Sequence, residues 1–166
     1  MSEFKILEFI TNHTLRDLFL KGHLIQEWSI MYPMIFDDDD KRTALSQAES
    51  HKAHYYEWLA AIIIYHAKGL LSLNQKYAYP SHYYKREILK KLMIGKPKVY
   101  EFIIRRGIGN VTQLPDLLVY KNDYKKWFFA EVKGPTDKLS PKQIELFKQL
   151  QHITGKKVVL IEFQTL

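Results

Sequence analysis

Two short apolar runs lie close together in the second half of the chain. The first covers Leu114–Tyr120, the second covers Trp127–Lys133, and the polar segment Lys121–Lys126 separates them. Apolar runs of this length on either side of a polar turn are typical of a β-hairpin. The pattern therefore predicts two antiparallel strands joined by a short turn.

Three charged residues interrupt this predicted hairpin, Asp116 in the first run and Glu131 and Lys133 in the second. Side chains alternate along a strand, so Glu131 and Lys133 share one face while Val132 points to the other. If the hairpin pairs near its base, Asp116 lies opposite the end of the second run. Two carboxylates that meet there are hard oxygen ligands of the kind that Mg²⁺ or Mn²⁺ prefers. The same charges before Gly134 are also typical of a solvated strand exit, so the local pattern leaves both interpretations open.

The pattern in the first forty residues is weaker. Apolar residues spaced three and four apart predict a helix over residues 3–21, ended by Gly22. Residues 23–36 are apolar and rich in β-forming residues, which predicts a strand or an extended packing segment. Asp37–Asp40 predict a solvated polar loop rather than a metal site, because adjacent residues do not converge on one point and their like charges repel.

A long helix is predicted from residue 47 to residue 67. Ser46 and Glu49 have the spacing of a capping box. Residues Trp58–Tyr65 are apolar around the whole helix, which indicates that this half is buried. Glu57 stands at the entrance to the buried half and has no lysine or arginine three or four positions away. A buried carboxylate needs a partner, and a metal ion would serve.

Between this helix and the hairpin, residues 69–80 predict a connector and residues 83–93 predict a helix with a basic face. Residues 99–104 then predict a strand that ends at Arg105 and Arg106. These two arginines either contact a phosphate backbone or only end the edge of a sheet.

After the hairpin, the chain predicts one more helix and one more strand. Ser140 has the position of a helix cap, Pro141 takes the first helical position, and Gln143 stands where a glutamine completes a capping box. Gly155 ends this helix, and residues 157–163 predict a closing strand.

The composition narrows the class of partner and the compartment. The chain has 166 residues, which fits one domain, and its hydrophobic fraction of 46% supports a packed core. Its formal charge of +7 favours an acidic partner, of which nucleic acid is the commonest. It has no cysteine, which excludes disulfides, thiolate zinc sites and a cysteine nucleophile.

We see no signal peptide at the N-terminus, and the longest apolar run is too short to cross a membrane. We therefore expect a cytoplasmic protein without a membrane partner.

The hairpin and the residues after it carry a longer motif, in which Pro115–Asp116 is followed by EVKGP at 131–135 and DKLSPKQ at 137–143. From Leu114 to Phe163 the chain resembles the VRR-NUC domain of the PD-(D/E)XK nuclease superfamily, whose best-known member is the Fanconi-associated nuclease. One departure is visible, because the family usually has a glycine shortly before the Pro-Asp pair and this chain has Gln113 and Leu114 there.

The resemblance implies a fold and a reaction. The fold would be α/β, with a PD-(D/E)XK restriction-endonuclease-like core in which helices flank a mixed central sheet. Residues 46–166 would form this nuclease core, and residues 1–45 would form an N-terminal helical extension packed on it. The reaction would be hydrolysis of DNA phosphodiesters with Mg²⁺ or Mn²⁺, by an endonuclease selective for branched or flap DNA. Stand-alone relatives tend to form homodimers, so a homodimer is also expected.

Two other functions fit the same sequence. One is a catalytically inactive nucleic-acid-binding module on the nuclease fold. The other is a nuclease effector that acts in defence or antagonism. An intact Pro-Asp pair and an intact EVK segment argue against decay of the site.

The resemblance also implies roles for individual residues. The residues implied as metal ligands are Asp116, Glu131, the backbone carbonyl of Val132, and Glu57. Glu57 takes the place of an acid that the superfamily carries on the helix before the core sheet. Two alternatives for that acid have ordinary explanations, because Glu49 would cap a helix and Glu87 would pair with the lysines that follow it.

Lys133 would orient the attacking water and offset the charge that develops on the phosphate. Gln143 would lie beside the active site, and its capping position is an equally good explanation. The basic residues expected to contact DNA are Lys125, Lys126, Lys138, Lys142, Arg105 and Arg106.

Overall fold

A mixed β-sheet runs through the centre of the protein in the computed structural model, which describes residues 4–48, 50, 54–74, 76–108 and 113–166. Five strands are present in this described part of the chain: β1 (Lys5–Thr11), β2 (Leu71–Asn74), β3 (Leu117–Tyr120), β4 (Trp127–Lys133) and β5 (Val159–Thr165). The helices there are α1 (His13–Leu20), α2 (His23–Met31), α3 (Asp38–Ala48), α4 (Tyr55–Lys68), α5 (Tyr83–Leu92), α6 (Pro97–Arg106) and α7 (Pro141–Thr154).

The strands are ordered β1-β5-β4-β3-β2 across the sheet. β1, β5 and β4 are parallel, whereas β4, β3 and β2 pair in antiparallel fashion. The predicted hairpin is therefore confirmed as β3 and β4, with Tyr120 opposite Trp127 beside the turn.

Helices cover both faces of the sheet because its strands carry apolar side chains on both faces. On one face, Ala130 and Val132 of β4 pack in a core with α1, α2, α3 and α4. On the other face, Trp127 and Phe129 pack in a second core with α5, α6 and α7. The expected α/β fold, a mixed sheet flanked by helices with further helices near the N-terminus, is confirmed.

No helix of the described residues is long and apolar enough to cross a membrane.

The N-terminal residues were predicted as one helix over 3–21, and this is wrong for the first part. Residues 5–11 form strand β1, which pairs in parallel with β5 from Lys5 opposite Val159 to Thr11 opposite Thr165. The Asn12 side chain then accepts a hydrogen bond from the Leu15 N–H at 2.8 Å, which starts α1. Because β1 belongs to the central sheet, the segment before residue 46 contributes a strand to the same sheet as the rest of the chain, and the division at residue 45 stays a prediction.

Residues 23–36 were predicted as a strand or an extended segment, and this is also wrong. Residues 23–31 form α2, and Ile25 and Trp28, three positions apart, are both buried. Their spacing suits one face of a helix, and tertiary packing outweighs the β propensity of the segment.

The four aspartates form the cap and first turn of α3 rather than a solvated loop. Asp40 accepts a hydrogen bond from the Asp37 N–H at 3.0 Å, and Asp37 accepts one from the Asp40 N–H at 2.8 Å. Acidic side chains are favoured there because the N-terminus of a helix carries partial positive charge. Asp40 is buried and forms an ion pair with Lys85, which is also buried.

The helix predicted over residues 47–67 is two helices, α3 and α4. Ser46 lies inside α3, where its hydroxyl donates to the Thr43 carbonyl at 2.9 Å, so it does not cap a following helix. Glu49 lies outside the described residues. The buried half of the predicted helix is confirmed in α4, where Trp58 and Ile64 are buried.

Two further segments differ from their predictions. The connector over 69–80 contains β2, which pairs with β3 at the edge of the sheet. Residues 99–104, predicted as a strand, belong to α6, because Pro97 starts the helix and Val99 and Ile103 bury one helical face. The predictions of α5, α7 and β5 are confirmed, with bounds shifted by up to two residues.

Candidate active site

The pairing of β3 with β4 brings Asp116 and Glu131 together. Leu117 lies opposite Ala130, so the next position along each strand places Asp116 beside Glu131. The Asp116 N–H donates to Glu131 Oε2 at 3.2 Å, and the Val132 N–H donates to Asp116 Oδ2 at 2.9 Å. The contact predicted across the base of the hairpin is therefore present, and backbone hydrogen bonds hold both carboxylates.

Glu131 is buried, and Asp116 beside it is half-buried. Only 2% of Glu131 is exposed. Burial raises the pKa of Asp116 well above its ordinary value, and the charges of Glu131 and Glu57 raise it further. Burial also raises the pKa of Glu131, although the hydrogen bond and charge of Lys133 oppose the change. The site therefore concentrates negative charge that a cation would stabilise.

Lys133 lies on the same face as Glu131, as the alternation of side chains predicted. Its ammonium Nζ is 2.7 Å from Glu131 Oε1 and 3.4 Å from Gln143 Oε1. Burial lowers the pKa of Lys133, but the hydrogen bond and charge of Glu131 outweigh burial, so the net shift is upward. Lys133 is therefore a positively charged group held beside the two acids.

Gln143 serves both of the roles that the sequence left open. Its side-chain Oε1 accepts from the Ser140 N–H at 3.0 Å, and the Gln143 N–H donates to Ser140 Oγ at 3.1 Å, which is a complete capping box at the start of α7. Its Nε2 donates to Glu131 Oε1 at 2.7 Å. The cap thus fixes an amide that holds Glu131 and Lys133 in place.

Glu57 stands in the first turn of α4, close enough for its charge to raise the pKa of both Asp116 and Glu131. Its Oε1 is 3.4 Å from Nδ1 of His54, which lies three positions earlier in the chain. Glu87 has a different setting, because its carboxylate pairs with Lys90 at 2.8 Å on the exposed side of α5. Of these two acids, the charge of Glu57 is the one that acts on the paired carboxylates.

Tyr77 supports the site and was missed by sequence reasoning. Its buried hydroxyl donates to the Pro115 carbonyl at 2.7 Å, directly before Asp116. Burial raises the pKa of Tyr77 well above its ordinary value, and the charges of Asp116 and Glu131 add to this shift. A tyrosine-rich segment was the only signal in the sequence. A cavity of about 140 Å³ opens here between Tyr77, Tyr79 and Asp116.

A second support lies at Gly134, directly after Lys133 in the sequence. The Gly134 N–H donates to Asp137 Oδ2 at 3.1 Å, and a Cβ at Gly134 would stand only 2.8 Å from the Tyr56 ring. Burial raises the pKa of Tyr56, and the nearby positive charge of Arg16 on α1 opposes the shift. The N-terminal helices therefore bring an arginine to the edge of the site, which no local pattern in the sequence indicated.

The basic residues predicted to contact DNA fall into three places. Lys138 and Lys142 are exposed in the loop before α7 and in its first turn, which also holds Gln143. Lys125 and Lys126 precede β4 at its other end, roughly 16 Å from Glu131 by the rise of a strand.

Arg105 and Arg106 end α6 instead of a strand. Arg105 pairs with Glu101 at 2.5 Å, and Arg106 lies over the Phe102 ring with 5.2 Å to its centroid. Arg106 also donates to Gln149 Oε1 of α7 at 3.5 Å, so the described contacts of both arginines are with α6 and α7.

The donor set suits a hard divalent cation. No group of three or more histidine, cysteine, aspartate or glutamate side chains in the described ranges is arranged to hold a metal ion. Asp116 and Glu131 nevertheless place carboxylate oxygens close together, where the charge of Glu131 raises the pKa of Asp116 and burial raises the pKa of both. Oxygen ligands with this shared charge fit Mg²⁺ or Mn²⁺.

Comparison with known proteins identifies the family. A crystal structure of paFAN1 bound to DNA with a 2-nucleotide 5′ flap and a gap is similar to this chain at 17% sequence identity and a TM-score of 0.45, over 99% of this chain and 38% of that chain. This chain thus spans well under half the length of that protein. No curated protein matches it. The VRR-NUC domain family matches residues 57–160, which include both carboxylates, Lys133 and Gln143. The chain therefore belongs to the VRR-NUC family of nuclease domains.

Proposed function

We propose that this protein is a metal-dependent endonuclease that hydrolyses phosphodiester bonds in DNA. The observation that carries the proposal is the convergence of Asp116, Glu131 and Lys133 at the end of two paired strands in a chain of the VRR-NUC family. A phosphodiester is anionic, and its hydrolysis needs positive charge where negative charge develops. Lys133 carries such a charge, and the two carboxylates beside it would bind a cation that carries another.

Asp116 and Glu131 would hold Mg²⁺ or Mn²⁺, joined by the Val132 carbonyl and by Glu57. Their raised pKa values support this assignment, because buried carboxylates that repel each other gain most from a bound cation. When bound, the cation supplies Lewis-acid stabilisation of charge on the phosphate oxygens.

The protein's own side chains would carry the remaining tasks. Lys133 offers an ammonium to the phosphate and to the attacking water, and Gln143 keeps that ammonium beside Glu131. Tyr77 holds the Pro115 carbonyl and so fixes the backbone that carries Asp116. Such fixed groups lower the reorganisation needed during the reaction.

For DNA binding, Lys138 and Lys142 are the predicted lysines best placed to contact a phosphate backbone at the site, and Arg16 adds charge from the α1 side. The proposal includes selectivity for branched or flap DNA, in repair, recombination or the replication of phages and mobile elements. It also includes action in the cytoplasm. Binding through phosphates should weaken steeply as salt increases.

The test is cleavage of labelled linear, flap and four-way-junction DNAs with Mg²⁺, Mn²⁺ or EDTA, beside Glu131→Ala. Cleavage is expected with either metal, with preference for a branched substrate, and should stop with EDTA or in the variant. Glu87→Ala is the matched control, because Glu87 lies on the exposed side of α5. Metal-independent cleavage, or full activity of Glu131→Ala, would reject the proposal, and binding without cleavage would favour the inactive module.

A further inference from the structure

A second recess lies on the face of the sheet that packs against α4. A cavity of about 440 Å³ is lined by β1, α4, β4 and β5. Apolar side chains, including Leu7, Phe9 and Phe128, line its interior. Lysines stand among its lining residues: Lys5, Lys68, Lys156 and Lys157.

A neighbouring cavity extends this recess along the sheet. It has a volume of about 310 Å³ and shares Phe128 and Lys156 with the first cavity. Lys125 and Lys126, both exposed, line it as well. The two cavities together are called the lysine-rimmed groove below.

The groove combines an apolar interior with one sign of charge. None of the described residues that line its two cavities is acidic. Lys156 stands where the cavities meet, and its ammonium donates to the Trp127 carbonyl at 2.9 Å and lies 3.9 Å from the centroid of the Trp127 ring. This lysine is therefore a fixed cation between two apolar recesses.

The groove is separate from the candidate active site. Ala67 and Lys68 line the groove at the end of α4, whereas Glu57 stands in the first turn of the same helix. Ten residues of helix separate Glu57 from Ala67, about 15 Å at the helical rise. A ligand in the groove would leave the paired carboxylates open.

We propose that the lysine-rimmed groove binds an acidic peptide segment of a partner protein. Two apolar side chains of the peptide would enter the two cavities, and its carboxylates would face the lysines. DNA fits less well, because its phosphates would meet the lysines but would leave the apolar interior unfilled. A lipid surface also fits less well, because membrane binding uses apolar side chains that protrude, and here they line a recess. The proposal does not depend on the nuclease activity.

The test uses a fluorescein-labelled peptide of about eight residues that alternates aspartate with leucine and phenylalanine, long enough to span both cavities. Its binding to the full chain is followed by fluorescence anisotropy. Two comparison peptides replace either the aspartates by lysine or the apolar residues by serine. The protein variant is Lys5→Glu with Lys68→Glu, and the matched control is Lys21→Glu with Lys98→Glu, which changes the net charge equally at exposed positions outside the groove.

The acidic apolar peptide should bind, and both comparison peptides should bind at least about tenfold more weakly. The Lys5 and Lys68 variant should lose affinity by a similar factor, the control should keep it, and both should retain the wild-type melting temperature and cleavage rate. No binding at about 100 µM peptide would overturn the proposal. Equal losses of peptide affinity in the Lys5 and Lys68 variant and in the control variant would also overturn it. A drop in affinity for duplex DNA as large as the drop for the peptide would instead assign the groove to DNA, and binding to phosphatidylglycerol vesicles alone would assign it to lipid.

Discussion

Lys133 is the one positive side chain in contact with Glu131, at 2.7 Å in the described structure. Its role in the proposed reaction is tested by Lys133→Ala, which removes the ammonium and leaves the backbone of β4 unchanged. We expect cleavage to fall by about 10² or more, as when one preorganised donor is removed from an enzyme site. DNA affinity, measured by anisotropy, should change little.

Lys138→Ala is the matched control, because it removes an exposed lysine near the same strand end. That variant should mainly weaken DNA binding, so its cleavage should approach the wild-type rate when the DNA concentration is high, whereas cleavage by Lys133→Ala should stay low. Unchanged cleavage by Lys133→Ala would remove this lysine from the mechanism.

Asp116 is expected to destabilise the protein when no cation is bound. Its pKa is raised in the folded state, so the folded protein binds this proton more tightly, and stability is lost as the pH rises from the ordinary value of 3.8 through the folded pKa. Asp116→Asn keeps the shape and removes the charge. At neutral pH, without divalent cations, we expect it to raise the free energy of unfolding by at least about 1 kcal/mol, measured in urea.

Mg²⁺ should then stabilise the wild-type protein more than Asp116→Asn. The control is Asp123→Asn in the hairpin turn, where a hydrogen bond from the Lys125 N–H lowers the pKa of the exposed carboxyl. Removing that charge should give no gain in stability. If Asp116→Asn is less stable than the wild type at every pH, then the pKa of Asp116 is not raised in the folded protein.

Some residues of the site can be identified from local sequence patterns, and others cannot. Asp116, Glu131 and Lys133 could be predicted to meet, because strand alternation and hairpin pairing are local rules. Tyr77 and Arg16 could not, because they reach the site through contacts between distant parts of the chain. The roles assigned to all of them stay predictions until the variants are measured.

At the scale of elements, α3 and α5 are joined by a buried ion pair between Asp40 and Lys85. Lys85 also donates to the Asn74 carbonyl at the end of β2. Burial raises the pKa of Asp40 from 3.8 to about 6, with the charge of Lys85 acting in the opposite direction. Desolvation thus outweighs the attraction of the partner.

This pair gives a prediction for stability against pH. Because the folded pKa is the higher one, the contribution of Asp40 to stability is lost as the pH rises from about 4 to about 6. The free energy of unfolding of the wild type minus that of Asp40→Asn should therefore decrease across this window, by up to about 3 kcal/mol. Urea unfolding at several pH values measures it, with Asp38→Asn, an exposed neighbour in the same helical turn, as control. A pH-independent difference would contradict the raised pKa.

Elements were predicted well where local signals agree with the tertiary structure. α7 was predicted because Ser140, Pro141 and Gln143 mark its start. β1 and α6 were not, because a short apolar segment fits the side-chain period of a strand and of a helix equally well. Which of the two forms depends on neighbours that are distant in sequence. β1 becomes a strand since β5 offers a parallel edge, and α6 becomes a helix since Val99 and Ile103 face the second core.

At the scale of the whole molecule, the homodimer expected from the resemblance is open to test. β1 lies at the edge of the sheet, with Ile6 45% exposed and Ile10 60% exposed. An edge strand with exposed apolar residues is a ready surface for pairing with a second copy. We expect sedimentation to detect a dimer, and Ile6→Lys with Ile10→Lys to yield a monomer. Ile94→Lys, at a residue 78% exposed on another surface, is the control. A wild-type monomer at about 100 µM would contradict the expectation.

The parallel pairing of β1 with β5 has a consequence for biosynthesis. β1 is synthesised well before β5, its only partner in the described sheet, because Lys5 pairs with Val159. β4 also relies on β5 for one of its two neighbours. Contacts so far apart in sequence form late, so we expect the acid pair to become rigid only once β5 has been synthesised. On the proposed function, a nascent chain should therefore not cut DNA before β5 has formed.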